Sequence, residues 1–183
     1  MARIALVYGT TEGQTATIAE RMADVLARTG HGPTLFHAEH LPADFTLAEY
    51  DAVVVGASVH VGSHQEYVTR FVADHVDDLN RLPSAFFSVS LTAAEGSDEA
   101  WATARSLLED FLVETGWEPD ATAVVPGALR YSQYGTLKRF VMKRIAKRAG
   151  GGTDTSRDYE YTDWDEVKSF AAAFGDALDD SSN

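Results

Sequence analysis

Val7-Tyr8-Gly9-Thr10-Thr11-Glu12-Gly13-Gln14-Thr15 joins two segments of opposite periodicity. Before it, Arg3-Ile4-Ala5-Leu6-Val7-Tyr8 is a short apolar run of the kind that forms a strand buried on both faces. After it, Ala16-Thr17-Ile18-Ala19-Glu20-Arg21-Met22-Ala23 spaces its apolar residues as a helix does. The junction holds two glycines and three threonines, one acid and no base. A strand, a glycine-bearing turn and a helix in that order open a parallel α/β unit, and the rest of the chain continues it.

Further apolar runs suited to buried parallel strands lie at Thr34–His37, Ala52–Ala57, Ala85–Ser90 and Thr122–Val125. Helical patterns alternate with them at Gly13–Thr29, His64–Asn80, Asp98–Thr115 and Asp163–Leu178. Ser97 before Asp98 and Glu99, and Thr162 three residues before Asp165, read as helix starts. Gly30 and Gly116 sit where glycine ends a helix. The alternation predicts a doubly wound parallel sheet of five strands in the order 2-1-3-4-5. At 183 residues one domain, 1–183, is expected, with residues 127–161 as an insertion before the last helix.

Composition narrows the chemistry. The chain has no cysteine, which excludes disulfides, thiolate metal sites and a cysteine nucleophile. No apolar run approaches the ~20 residues of a membrane span, and no leader pattern opens the chain, so a cytoplasmic protein is expected. Twenty-eight acids face 15 bases, only four of them lysine, for a net charge of −13. Acid-rich, lysine-poor surfaces suit concentrated salt, where the screening length falls to ~3 Å and self-repulsion is relieved. An ordinary acidic protein is the alternative.

The opening loop lies at the carboxyl edge of the sheet, where such folds bind ligands. The start of the first helix offers unpaired N–H groups and a positive dipole end to an anion. Thr10, Thr11 and Thr15 add hydroxyls, and Gly13 allows close approach. The P-loop G-K-[ST] and the dinucleotide G-x-G-x-x-G are both absent, and the strand ends Tyr8-Gly9-Thr10 and Gly56-Ala57-Ser58 lack phospho-acceptor acids. A neutral hydroxyl-rich loop fits the terminal monophosphate of FMN; the alternative is a polar turn capping a helix without a ligand.

Thr10-Thr11-Glu12-Gly13-Gln14-Thr15 resembles the phosphate loop of flavodoxin-like proteins. Nearly the whole chain is similar to the quinone-dependent protoporphyrinogen dehydrogenase family, flavodoxin-like enzymes of haem synthesis. The similarity is carried by Gly56-Ala57-Ser58, Pro83-Ser84-Ala85-Phe86-Phe87-Ser88-Val89 and Gly127-Ala128-Leu129-Arg130-Tyr131. Gly151-Gly152-Thr153-Asp154-Thr155 and Tyr161-Thr162-Asp163-Trp164 extend it, and plain flavodoxins lack the run from Gly127 to Trp164. The resemblance implies one non-covalent FMN with its phosphate on Thr10, Thr11, Glu12, Gly13, Gln14 and Thr15. Its ring would lie between Ser58, Val59, His60, Val61 and Gly62 on one side and Ser88, Val89, Ser90, Leu91 and Thr92 on the other. The implied activity is oxidation of protoporphyrinogen IX, a tetrapyrrole, with a membrane quinone as acceptor. A flavodoxin-type electron carrier and an NAD(P)H-quinone reductase are the alternatives. Neither ring loop offers tryptophan or tyrosine, which leaves the flavin open to a substrate.

His60 falls in the first ring loop and could donate a proton or a hydrogen bond, since imidazole titrates near neutrality. His60 with His64, and His37 with His40, have spacings that bind metal on a helix, but no third ligand matches and no metal is expected. From Ala121 to Thr153 there is no acid, while Arg130, Lys138, Arg139, Lys143, Arg144, Lys147 and Arg148 make the stretch +7 and leave −20 on the rest. A helix over 137–149 would carry Val141, Met142, Ile145 and Ala149 on one face and bases on the other. It reads as a contact to the inner face of the cell membrane or to substrate carboxylates; the alternative is a helix packed on the chain's own acids. Nucleic acid is not expected as a partner, since the net charge repels it, and oligomeric state is left open. If the acidic surface is adapted to salt, the melting temperature should climb as KCl rises into the molar range; a flat or falling curve returns the protein to the ordinary acidic class.

Overall fold

In the computed structural model, residues 1–129 and 158–181 are described. Five parallel strands form the sheet: β1 (Arg3–Tyr8), β2 (Gly32–His37), β3 (Ala52–His60), β5 (Ser84–Ser90) and β6 (Ala121–Pro126). They lie in the spatial order β2-β1-β3-β5-β6. A two-residue strand β4 (Ser63–His64) runs antiparallel to the end of β3 and makes the sheet six-stranded. The five long strands thus keep the expected sequence of neighbours, and the hairpin is the difference. It arises because β3 runs three residues past the expected Ala57 before the chain turns back.

Alternation along the strands divides the core in two. Ile4, Leu6, Val54 and Phe87 face α1 (Gln14–Arg28) and the last helix, α5 (Trp164–Ser181), meeting Ile18, Met22, Val167 and Phe174. Val7, Val53, Val55 and Phe86 face the other side, towards α2 (Glu66–Asp74), α3 (Val76–Leu79) and α4 (Asp98–Thr115), meeting Val68, Phe71, Phe111 and Trp117. Each fully buried side chain of this size contributes about 1.5–3 kcal/mol. Because helices cover both faces, only the strand ends and the loops that leave them remain open for chemistry.

The expected single helix over 64–80 is two helices broken at His75. Its first residues are diverted too: His64 pairs in β4 and Gln65 is the residue before α2. The cap expected from Thr162 is supplied instead by Asp163, whose carboxylate accepts from the amides of Asp165 and Glu166 at 3.0 and 3.1 Å. Ser97 caps α4 as expected, accepting from Ala100 N at 3.1 Å, and Gly116 ends it in the left-handed region. Of the 127–161 segment, β7 (Ala128–Leu129) and β8 (Tyr159–Glu160) pair antiparallel, Ala128 opposite Glu160. The expected basic helix over 137–149, with Arg130, Lys138, Arg139, Lys143, Arg144, Lys147 and Arg148, lies outside the described residues.

His64 is enclosed by the rings of Phe86 and Phe111 at 5.5 and 4.8 Å. Its Nε2 meets Ser88 Oγ at 2.8 Å. Burial opposes the imidazolium and pushes the pKa down from 6.5 to about 4. The unfolded chain therefore takes up a proton near pH 6.5 that the folded chain refuses until about 4. This contribution to stability is complete above pH 6.5 and is lost as pH falls towards 4, at up to about 1.4 kcal/mol per pH unit. His64→Gln keeps a neutral partner for Ser88, so the loss of urea midpoint between about pH 7 and pH 5 should shrink relative to the parent. An unchanged loss would mean that His64 is not held neutral by the fold.

Candidate functional site

Three chain segments meet at the carboxyl edge of the sheet. The first leaves β1 through Gly9, where a Cβ would lie 2.3 Å from Val68 Cγ2 and 2.9 Å from the Tyr67 ring. Only glycine fits that approach. Gly9 N donates to Gly56 O at 2.8 Å, which pins the loop to β3. The Tyr67 hydroxyl then holds Thr10 by its backbone, accepting from N at 3.1 Å and donating to O at 3.3 Å. Burial pushes the Tyr67 pKa above its ordinary value, so the hydroxyl keeps its proton for that bond.

The start of α1 differs from those of the other long helices. Gly13 is its first cap residue, at φ 88°, and no side chain caps the helix. Its first turn holds no acid, whereas α4 begins with Asp98 and Glu99 and α5 with Asp165 and Glu166. Thr10 Oγ1 accepts from Gly13 N at 2.9 Å, so its own proton is directed elsewhere. Thr15 is fully buried, and its hydroxyl has no hydrogen-bond partner. The hydroxyl of Ser90, at the end of β5, is likewise buried and unpartnered. A buried hydroxyl left alone costs about 1–3 kcal/mol, and both of these line the same cavity.

The second segment is the β3–β4 hairpin. Ser58, Val59 and His60 are still strand, and Val61 and Gly62 turn the chain at φ 52° and 82°. Two positive φ values in sequence are those of a type I′ hairpin turn. Val61 is the non-glycine residue that takes this conformation among the described residues, and it is 92% exposed. A β-branched residue held there stores strain of order 1–3 kcal/mol. Gln65 ties hairpin and phosphate-type loop together. Its Oε1 accepts from Ser58 N at 3.1 Å, and its Nε2 donates to Ser58 Oγ and, at 3.2 Å, to Thr11 Oγ1.

The third segment follows β5 and β6. Gly127 N donates to Ser90 O at 3.0 Å, and Tyr161 N to Gly127 O at 3.1 Å. Gln14 Nε2 donates to Thr162 Oγ1, which donates to Pro126 O, both at 2.8 Å. This is why Thr162 does not cap α5.

Between these segments lies a cavity of about 380 Å³. Thr10, Thr11 and Glu12 line it from the β1–α1 loop, and Gln14 and Thr15 from the start of α1. Ser58, Val59, His60, Val61 and Gly62 line it from the hairpin, and Val89, Ser90, Leu91 and Thr92 from the end of β5. Of the residues expected from sequence, Gly13 shapes the loop without lining the cavity, and Ser88 is turned into the core against His64. Gly127 and Ala128 line it unexpectedly, and Gln65 and Tyr67 support it from behind. Nothing in the spacing of Gln65 or Tyr67 separates them from ordinary helix residues. His60 is exposed at the mouth while His64 is buried, so that pair does not converge. No lysine or arginine lines the cavity among the described residues. Apart from Glu12 and His60, its polar groups are amides and hydroxyls, the chemistry of a helix-terminal anion site.

A flavodoxin-domain family model matches residues 5–156. In structure, flavodoxin 1 from Bacillus cereus aligns with a TM-score of 0.57 and 18% identity, over 94% of this chain and 96% of that one. The protein is thus a flavodoxin-fold α/β protein. Protoporphyrinogen IX dehydrogenase (quinone) of Escherichia coli strain K12 is 38% identical over 166 residues, 91% of each chain. The Leishmania major protein of the same name is 35% identical over 173 residues, 92% of this chain and 73% of that one. The chain belongs to the protoporphyrinogen IX dehydrogenase (quinone) family, a family of flavodoxin-like oxidoreductases.

The Gln65 bridge generates a local test. Gln65→Ala should cost about 1–3 kcal/mol, because Ser58 N loses its partner. Amide exchange should accelerate at residues 10–13 and 58–63 beyond any change in β5. Equal acceleration everywhere would show that the amide stabilises the whole sheet rather than joining two loops.

Proposed function

We propose that the protein is an FMN-dependent dehydrogenase that oxidises protoporphyrinogen IX to protoporphyrin IX and delivers the electrons to a membrane quinone. The observation that carries the cofactor is the pair of buried, unpartnered hydroxyls, Thr15 and Ser90, on one cavity at the uncapped start of α1. The residues present fit a flavin monophosphate. Amides of the α1 turn with Thr10, Thr11, Glu12, Gly13, Gln14 and Thr15 would hold its phosphate end. Ser58 to Gly62 and Val89 to Thr92 would flank its ring. When bound, FMN supplies two-electron redox chemistry, so complete oxidation of the tetrapyrrole takes three rounds.

The chain's own residues supply positioning. Among the described residues that line the cavity, His60 carries the one ring, and it is exposed, where its imidazole would meet the substrate's edge as proton donor or hydrogen-bonding partner. Val61 and Leu91 offer small apolar flanks instead of covering aromatics, which leaves room for a large flat substrate. The names of the 35–38% identical relatives support the tetrapyrrole and the quinone. No helix among the described residues is long and apolar enough to cross a membrane. Contact with the bilayer that holds the quinone would therefore be peripheral, and the sequence offers 137–149 for it.

Thr15→Val separates cofactor binding from folding. The hydroxyl has no partner within the chain, so the flavin-free variant should be as stable as the parent. Loss of a charge-assisted bond worth about 1.5–3 kcal/mol should weaken FMN binding by roughly 10- to 150-fold. Heat release and chromatography identify the flavin, and anaerobic mixing with protoporphyrinogen IX and a quinone, followed by flavin and porphyrin spectra, tests the reaction. Unchanged FMN affinity removes the phosphate assignment. A flavin bleached by NADH but not by the tetrapyrrole makes the protein a nicotinamide-fed quinone reductase.

A further inference from the structure

We propose that His37, Glu39 and His40 form a binding site for a divalent first-row transition-metal ion, of the zinc type, on the protein surface beside the α1 loop. The three residues occupy the end of β2 and the single 3₁₀ turn Ala38–His40 that follows it. That turn folds the two imidazoles onto each other: His37 Nδ1 and His40 Nδ1 are 3.3 Å apart. Zinc–nitrogen bonds of about 2.0–2.1 Å at tetrahedral angles separate two ligand nitrogens by about 3.3 Å. One ligand atom from each of the two histidines and from Glu39 falls within 4.8 Å of the others. The third ligand that sequence spacing failed to show is therefore the acid between the histidines, brought round by the turn.

The first ligand is held in place before any ion arrives. The His37 ring stacks on Tyr67 with centroids 5.6 Å apart and meets the edge of Tyr8 at 5.4 Å. His37 Nδ1 now accepts from Glu39 N at 3.2 Å, in an exposed position. An ion would take that lone pair, and water can serve the freed amide. His40 and Glu39 are exposed, so their side chains can close on an ion without disturbing the core. Two imidazoles and one carboxylate leave a fourth position open to solvent. Nitrogen donors select zinc, cobalt, nickel or copper over magnesium and calcium.

The site connects to the loop described above through one residue. Tyr67 carries His37 on its ring and Thr10 on its hydroxyl. An ion that fixes His37 also fixes the ring that positions Thr10. Binding itself does not depend on a flavin.

The alternative is that the two rings merely share an N–H···N hydrogen bond. Calorimetry of the chelator-treated full-length protein with Zn²⁺ decides between them. The parent should bind one equivalent, with a rise in melting temperature and, for Co²⁺, the visible absorption of a four-coordinate ion. Mg²⁺ at the same concentration should give neither. His40→Ala and Glu39→Gln alter exposed side chains and should melt as the metal-free parent does, yet each should bind Zn²⁺ at least about tenfold more weakly. No zinc binding by the parent up to ~1 mM, or equal binding by His40→Ala, overturns the proposal. Equal binding would place the ion on the acidic surface generally.

Discussion

A helix start that its own chain leaves uncompensated is the constraint around which the cavity is organised. The first amides of any helix need acceptors, and its N-terminal dipole end favours negative charge. In α4 both demands are met by Ser97, Asp98 and Glu99, and in α5 by Asp163, Asp165 and Glu166. In α1 the cap is a left-handed glycine with no side chain, and the first turn carries no acid. Thr10 and Thr15 supply hydroxyls, one engaged with Gly13 N and one with no partner. A protein with 28 acids has none in this first turn; its nearest, Glu12, stands before the cap. An anionic guest would complete it, and an acid placed there would compete with that guest.

Holding such an end open takes rigid neighbours, and these come from Gln65 and the first turn of α2 rather than from the loop itself. Val68 and Tyr67 press on Gly9, Tyr67 grips the backbone of Thr10, and Gln65 spans Thr11 and Ser58. Three of four consecutive residues thus serve the loop side while Val68 also belongs to the core beneath. The β3–β4 hairpin exists for a related reason. By turning back at Val61 it delivers His64 into the apolar cluster of Phe86 and Phe111 and leaves Gln65 beside the strand end. Burying a histidine at some cost to acid stability fixes the position of the residue that follows it.

The same features explain what sequence could and could not reveal. Strands buried on both faces are continuous apolar runs, so Arg3–Tyr8 and Ala52–Ala57 were legible, and so was the Ser97 cap, which acts within three residues of itself. The β1–α1 loop was legible as a turn at the strand end because glycine and hydroxyls cluster in six residues. Contacts across long separations left no trace in local spacing. Thr162 reads as a cap for α5 until Gln14, 148 residues away, and Pro126 claim its hydroxyl. Ser88 alternates with Phe87 and Val89 as a cavity residue would, but His64 turns out to hold it in the core. Glu39 looks like a solvated acid until a tight turn folds both histidines about it.

Charge gives the remaining step. The cavity is lined by amides and hydroxyls together with Glu12 and His60, in a chain whose net charge of −13 opposes any anionic ligand at long range. Helix-terminal dipoles act over the first turn only, so they can retain an anion already in contact but cannot draw one from solution. The chain keeps seven bases and no acid between 121 and 153, and the two ends of that stretch's insertion meet at the rim of the cavity. Gly127 and Ala128 line the cavity, Ala128 pairs with Glu160, and Tyr161 N returns to Gly127 O. The stretch that holds those bases thus leaves from and returns to this edge of the sheet. On the reading of that stretch as a contact to membrane or substrate carboxylates, a cavity with no lysine or arginine among its described lining and a basic segment joined to its rim would divide retention from attraction, two tasks that a lysine in the loop would have combined.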